Sequence, residues 1–189
     1  MPNLHQSRAT DSHSAGGSPS AWVLRFAEFP AGAGAVLDVA AGGGRHTRLF
    51  LERGHQVTAV DRDISKLTDL RGHPRAEVIE ADLEDGGPFP LIGRSFAKVV
   101  IVNYLHRPLT AHLLNAISPG GMLIYETFAV GNERFGKPSN PDFLLHPGEL
   151  LHLAAAGGLR VLAYEDLVVQ EPRPAAVQRI AAVRPDPIN

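Results

Sequence analysis

The sequence contains no cysteine in its 189 residues. This absence excludes disulfides, thiolate metal sites and cysteine nucleophiles, and it fits the cytoplasmic location that we predict. An excess of either charge is also missing, since 18 basic and 20 acidic residues give a formal net charge of −2. A chain balanced in this way provides no support for a nucleic acid or an anionic membrane as its partner.

Long hydrophobic runs are missing as well, because no apolar stretch approaches the ~20 residues that a membrane-spanning helix needs. Residues 1–19 are polar and lack an apolar core, so they are predicted to be a flexible tail and not a signal peptide. Residues 20–189 are predicted to form a single domain. The nine histidines lack the helical pair and companion carboxylate of a zinc enzyme. We therefore predict no metal site and mostly exposed histidines.

Strand and helix patterns alternate along the rest of the chain. Strands are predicted at residues 35–40, 56–60, 76–80, 96–102, 122–126, 160–167 and 176–183, and helices at residues 20–29, 46–53, 64–70, 109–117 and 147–158. This order predicts an α/β, Rossmann-like, doubly wound and mostly parallel sheet of seven strands. The last two strands have only a short link between them, so they must form a hairpin with one antiparallel strand.

A glycine-rich loop, Ala40 to Arg45, follows the first strand. Ligands of doubly wound sheets bind beyond the carboxyl ends of the strands. Asp61 ends the second strand, where it could accept hydrogen bonds from ribose hydroxyls, and Asp82 follows the third, near the place of an adenine amino group. Taken singly, the loop could serve packing and each aspartate could be a surface residue or a helix cap. Their joint placement at three successive strand ends predicts a nucleoside site.

Four segments resemble the motifs of class I methyltransferases that depend on S-adenosylmethionine (SAM). They are residues 36–45, 59–61, 81–83 and 118–124. The resemblance extends over residues 22–183, and within the class it is strongest to the small bacterial branch of tellurite-resistance-type methyltransferases. Ala40 replaces the usual first glycine of the loop. Alanine satisfies close packing there, but we expect it to disfavour a left-handed backbone.

The resemblance implies SAM as the cofactor and assigns roles to residues at the strand ends. Asp38 would organise the loop, Asp61 would bind the ribose, and Asn103 would face the methionine moiety and the substrate. The full set of predicted cofactor-binding residues is Asp38, Ala40, Gly42, Gly44, Arg45, Asp61, Arg62, Asp82, Leu83 and Asn103.

Methyl transfer from a sulfonium mainly requires alignment of donor and nucleophile and exclusion of water. The candidate catalytic residues therefore lie at the ends of the fourth and fifth strands, and they are Asn103, Tyr104, His106 and Glu126. Tyr104 and His106 could stack on an acceptor or deprotonate it. The alternative for His106 is a solvated histidine in a helix-capping turn, and for Glu126 it is an ion pair with an arginine.

Residues 129–146 are long for a plain connection. We predict a lid over a small-molecule acceptor, with Arg134 and Lys137 favouring an anionic one. The alternative is a surface loop with solvated charges.

Two other functions compete with methyl transfer. An NAD-dependent oxidoreductase would carry Gly-x-Gly-x-x-Gly, yet Thr47 stands at the third glycine position. A non-catalytic SAM-binding partner protein would be expected to lose its acids, but Asp38, Asp61 and Asp82 are all present.

Overall fold

The computed structural model describes residues 17–31 and 34–186. Residues 1–16 of the predicted tail, residues 1–19, lie outside the described residues. The division into tail and domain therefore stays a prediction. Within the two described ranges, no helix is both long enough and apolar enough to cross a membrane.

One mixed sheet forms the centre of the molecule. Its strands are β1 Val36–Val39, β2 Val57–Asp61, β3 Ala76–Glu80, β4 Phe96–Val102, β5 Ile117–Phe128, β6 Arg160–Val169 and β7 Ala175–Val183. The α-helices of the described chain are α1 Ala21–Phe26, α2 Arg45–Glu52, α3 Thr110–Asn115 and α4 Glu149–Ala156. The strand order is β3-β2-β1-β4-β5-β7-β6, and only β7 runs antiparallel to its neighbours in this described sheet. The predicted fold class and the late hairpin are confirmed.

The middle of the sheet is covered on both faces. Every residue of β1 and β4 is buried, as expected for parallel strands between two layers of helices. Successive residues of a strand point to opposite faces. Ile101 accordingly packs in the core that includes α3 and α4, whereas Val100 packs in the core that includes Trp22 of α1 and Phe50 of α2.

Local sequence sets the ends of the helices. The Ser20 side chain accepts hydrogen bonds from the backbone N–H groups of Trp22 and Val23 and so caps α1. Helix α4 begins at Glu149, two residues later than predicted, because Gly148 at its N-cap has a left-handed φ of 73°. Residues 65–70 form a 3-10 helix where a helix over residues 64–70 was predicted.

Two features of the sheet place the site. Strand β5 begins five residues before the predicted start, and its pairing with β4 shifts register between Phe96 and Lys98. Strands β1 and β4 are neighbours in the sheet. The chain adds β2 and β3 beyond β1 on one side of this pair, and β5 beyond β4 on the other side. This reversal leaves a crevice beyond the carboxyl ends of β1 and β4.

Candidate cofactor and acceptor site

Two residues with strained backbones lie at this crevice. Ala40 follows β1 with a φ of 53°, and Asn103 follows β4 with a φ of 59°; no other non-glycine residue of the described chain has a positive φ. Strain of this kind clusters at functional sites. The expectation that Ala40 avoids a left-handed backbone is wrong, because the Ala41 N–H donates to the Val60 carbonyl oxygen at 3.1 Å and holds the turn.

The glycine loop is held from outside. The Gly42 N–H donates to Oδ2 of Asp61 at 2.6 Å, which joins the loop to the end of β2. Gly44 has a φ of 73°, and a Cβ at this position would lie 2.5 Å from Cδ2 of Leu67. Gly44 is therefore required both by its conformation and by the space around it.

Asp38 lies beneath the loop and is almost fully buried. Oγ1 of Thr47 donates to Oδ2 of Asp38 at 2.6 Å, which ties β1 to the first turn of α2. Burial raises the pKa of Asp38 to about 6, even though the hydrogen bond from Thr47 lowers it. Asp38 is not among the residues that line the cavity above it. Its position suits a residue that organises the loop.

A cavity of about 300 Å³ opens beside the ends of β1, β2 and β3. We call it the cofactor cavity, and its lining residues are Ala40, Asp61, Arg62, Ala81, Asp82, Leu83, Glu84, Tyr104 and Phe143. Three carboxylates and one guanidinium make this lining acidic, which suits a cationic ligand. The sequence patterns did not indicate Ala81, Glu84 or Phe143, although Glu84 stands only two residues beyond Asp82.

The two predicted acids keep acceptor capacity for a ligand. Oδ1 of Asp61 accepts from the Asp63 N–H at 2.9 Å, and an ionised carboxylate has about four lone-pair positions. Oδ1 of Asp82 accepts from the Glu84 N–H at 2.9 Å, which engages one of its two oxygens. The acids can therefore bind ligand hydroxyl or amino groups without losing their present contacts.

Tyr104 brings a buried hydroxyl to the wall of the cofactor cavity. This oxygen has no hydrogen-bond partner among the described residues, and a buried polar group of that kind needs one. Burial, and then the nearby Glu84 carboxylate, raise the pKa of Tyr104 well above its ordinary value. The hydroxyl is thus protonated at neutral pH and suited to donate to a bound cofactor.

Asn103 lines a second cavity, of about 530 Å³, which we call the acceptor cavity. Its lining residues are Asn103, Phe128, Lys137, Pro138, Ser139, Asn140, Phe143 and Arg173. The described lining includes two cations and no carboxylate. Phe143 lines both cavities, so the two meet at its ring.

The segment of residues 129–146 is anchored near its start by a buried amide. Nδ2 of Asn132 donates to the Pro138 carbonyl oxygen at 2.9 Å, and Oδ1 accepts from the Ala176 N–H at 3.2 Å. These bonds hold the segment against the beginning of β7.

Arg107 anchors the same segment near its end. Its guanidinium donates to the carbonyl oxygens of Asp142 and Leu144 at 2.8 and 2.9 Å. The same group forms a two-pronged ion pair with Glu149 at 2.7 and 2.9 Å. Phe143 is therefore held between two anchored neighbours.

Besides Asp38, Gly42, Gly44 and Glu126, three further predicted site residues lie outside both linings. Nε of Arg134 donates to the Gly131 carbonyl oxygen at 3.2 Å, and its guanidinium lies 5.7 Å from the Phe135 ring centroid. Nη1 of Arg45 donates to the Ser18 carbonyl oxygen at 3.2 Å. His106 begins the turn of residues 107–109. Roles for these three residues in binding or catalysis stay predictions.

Glu126 has partners on both of its oxygens. Oγ of Ser20 donates to Oε1 at 2.8 Å, and Nη1 of Arg179 donates to Oε2 at 3.3 Å. The arrangement is the ion pair with an arginine that the sequence left open as an alternative. Glu126 lines neither cavity, so its contact with an acceptor stays a prediction.

His46 does not follow the expectation that the histidines are mostly exposed. It is 4% exposed, and its Nε2 accepts a hydrogen bond from the Ser20 N–H at 3.1 Å. Burial, helped by the charge of Arg45, lowers the pKa of His46 to about 3. Ser20 thus joins α2 to β5 through His46 and Glu126. Within the described ranges, no group of three or more possible metal ligands is found.

Comparison with known proteins begins with a domain match. Residues 36–121 match the model of a family described as a methyltransferase domain. The match covers a little under half of the chain and contains β1 to β4, which supply most of the cofactor cavity. A sequence search of curated proteins finds no match.

Solved structures share the fold at low sequence identity. TehB from Haemophilus influenzae superposes with a TM-score of 0.69 and 14% identity, over 86% of this chain and 61% of TehB. The chain therefore spans less than two thirds of the length of TehB. A second structure is the 1,6-didemethyltoxoflavin-N1-methyltransferase of Burkholderia thailandensis, with bound 1,6-didemethyltoxoflavin and S-adenosylhomocysteine (SAH). It superposes with a TM-score of 0.63 and 21% identity, over 87% of this chain and 76% of that one.

The [4+2]-cyclase SpnF also superposes, with a TM-score of 0.63 and 16% identity, over 88% of this chain and 79% of SpnF. One fold thus supports more than one reaction, and the site must carry the argument for function. The domain match shows a methyltransferase domain at residues 36–121, and the seven-stranded sheet has the fold of SAM-dependent methyltransferases, in agreement with the family that the sequence resembles.

Proposed function

We propose that this protein transfers a methyl group from SAM to a small anionic acceptor. The observation that carries the proposal is the pair of cavities that meet at Phe143, one with an acidic lining and the other with a basic lining. SAM has a sulfonium and an ammonium group against one carboxylate, so its net positive charge matches the acidic cavity. When bound, it supplies a methyl group that is already activated for displacement.

The residues at the strand ends would hold the cofactor. Asp61 would accept from the ribose hydroxyls, and Asp82 with Leu83 would frame the adenine. The loop of residues 40–44 would approach the methionine moiety, beside Asn103. This placement is supported by the lining of the cofactor cavity and by the neighbour that was solved with SAH.

The acceptor would occupy the cavity beneath residues 129–146, which we propose as its lid. Lys137 lines this cavity and would favour an anion, whereas Arg134 is engaged with Gly131 and Phe135. The described lining includes neither a histidine nor a carboxylate. The acceptor would therefore arrive with a free lone pair on its nucleophilic atom, and the protein would contribute alignment and exclusion of water.

Two measurements on the purified protein test this function. Calorimetric titration is expected to show binding of SAH and none of NAD; the reverse result would overturn the proposal in favour of an oxidoreductase. Incubation with SAM and a panel of small organic anions, each beside its neutral amide, is expected to release SAH with the anions. Cofactor binding without turnover on any panel member would instead indicate a non-catalytic SAM-binding protein.

A further inference from the structure

The hairpin between β6 and β7 brings a cation to the acceptor cavity. The last pair of this hairpin joins Val169 and Ala175, so residues 170–174 form the turn. Val177 of β7 pairs with Phe128 at the end of β5. The turn therefore projects past the end of β5, and Arg173 within it lines the acceptor cavity together with Phe128.

The two cations of this cavity are not engaged in the ion pairs of the described chain. The described chain has seven ion pairs, formed by Arg25, Arg48, Arg53, Arg94, Arg107 and Arg179. Neither Lys137 nor Arg173 takes part in these pairs, and both are exposed. Cations around a cavity without carboxylates attract an anion, and the planar guanidinium of Arg173 suits a carboxylate or a similar group.

Two aromatic rings line the cavity beside Pro138 and the uncharged polar residues Asn103, Ser139 and Asn140. Phe128 and Phe143 both line it, and Phe143 is 46% exposed although it is a large hydrophobic side chain. An inorganic oxyanion would leave these rings in water. A flat organic anion would cover them by stacking while its charged group reached the cations.

We infer that the acceptor is an organic anion with a flat apolar body, and that Arg173 and Lys137 bind its charged group. Arg173 then determines specificity for the anion. The inference rests on the proposed function, because it takes this cavity to be the acceptor site.

Binding of two matched probes tests the inference. The probes are 2-naphthoate and its neutral counterpart 2-naphthamide, titrated by ligand-observed NMR with and without saturating SAH. Wild-type protein is expected to prefer 2-naphthoate. Arg173→Gln is expected to lose about tenfold of the 2-naphthoate affinity, the size of one charge-assisted hydrogen bond, and to keep its affinity for 2-naphthamide and for SAH.

Arg160→Gln is the matched control, because it removes an exposed cation at the far end of β6. The inference is overturned by equal affinities of wild type for the two probes, by no binding of either probe, or by equal losses in the two variants. Competition by sulfate at the same affinity as 2-naphthoate would overturn the inference that the acceptor has a flat apolar body. SAH binding is read separately, so a protein that binds 2-naphthoate and not SAH would retain the anion site and refute the proposed function.

Discussion

The two cavities are assembled from different parts of the chain. Seven of the nine residues that line the cofactor cavity fall between Ala40 and Glu84, directly after β1, β2 and β3. The acceptor cavity draws its residues from three separate regions, around Asn103, between Phe128 and Phe143, and at Arg173. Consecutive parallel strands bring their own ends together, whereas the acceptor side depends on where β7 inserts into the sheet. The cofactor side is consequently local in the sequence, and the acceptor side is not.

The largest effect is expected from Asp61→Ala, which tests whether the cofactor side works independently. The change removes the proposed acceptor for ribose hydroxyls and the partner of the Gly42 N–H. The loss of two charge-assisted hydrogen bonds is expected to lower SAH affinity roughly 100-fold. Calorimetry measures this change, and 2-naphthoate affinity is expected to stay the same. Asp63→Ala is the control, since Asp63 is exposed and its carboxylate accepts from the nearby Ser65. Equal losses of SAH affinity in the two variants, or a loss of 2-naphthoate binding in Asp61→Ala, would contradict the independence of the two cavities.

The second-largest effect is expected at His46, which connects α2 to β5 through Ser20. Because burial lowers the pKa of His46 from 6.5 to about 3, its contribution to stability is present above pH 6.5 and is lost as the pH falls towards 3. His46→Gln should reduce the loss of unfolding free energy between pH 6.5 and pH 5 by about 2 kcal/mol. Urea denaturation at the two pH values measures this difference.

Asp38 acts in the opposite direction. Its raised pKa of about 6 adds stability as the pH falls from 6 towards 4, so the wild-type slope alone mixes the two residues. The comparison of wild type with His46→Gln isolates the histidine. Parallel slopes for the two proteins would show that the pKa of His46 is the same in the folded and unfolded states.

The smallest effect is expected from Arg107→Gln, and it should weaken ligand binding in both cavities. Without the anchor on Asp142 and Leu144, Phe143 loses its fixed place between the cavities. A partly exposed ion pair contributes about 1 kcal/mol at most, so affinities for both SAH and 2-naphthoate should fall by no more than about fivefold. Arg94→Gln breaks a similar two-pronged ion pair, with Glu77, away from both cavities. A loss of affinity for one ligand alone would refute the shared role of Phe143.

Much of the architecture was predictable because hydrophobic patterns are local. Strands β3 and β4 occupy the predicted residues, and the first helix begins one residue after its predicted start. Asp61 and Asp82 of the cofactor cavity were predictable for the same reason, since each stands where a strand ends, whereas Glu84 was not predicted. The start of α4 was not, because its position depends on the left-handed backbone of Gly148.

The sequence by itself determined the order of the elements, the late hairpin, the glycine loop and the acids Asp61 and Asp82. Tertiary structure alone decided that Ala40 takes a left-handed backbone, that His46 is buried and that Glu126 pairs with Arg179. It also placed Lys137 and Arg173 around one cavity. The physical reason is that strand ends and turns follow from neighbouring residues, whereas these features depend on contacts between segments that are distant in the sequence. The contacts of Glu126 and the position of Arg173 further depend on the register of β7 between β5 and β6.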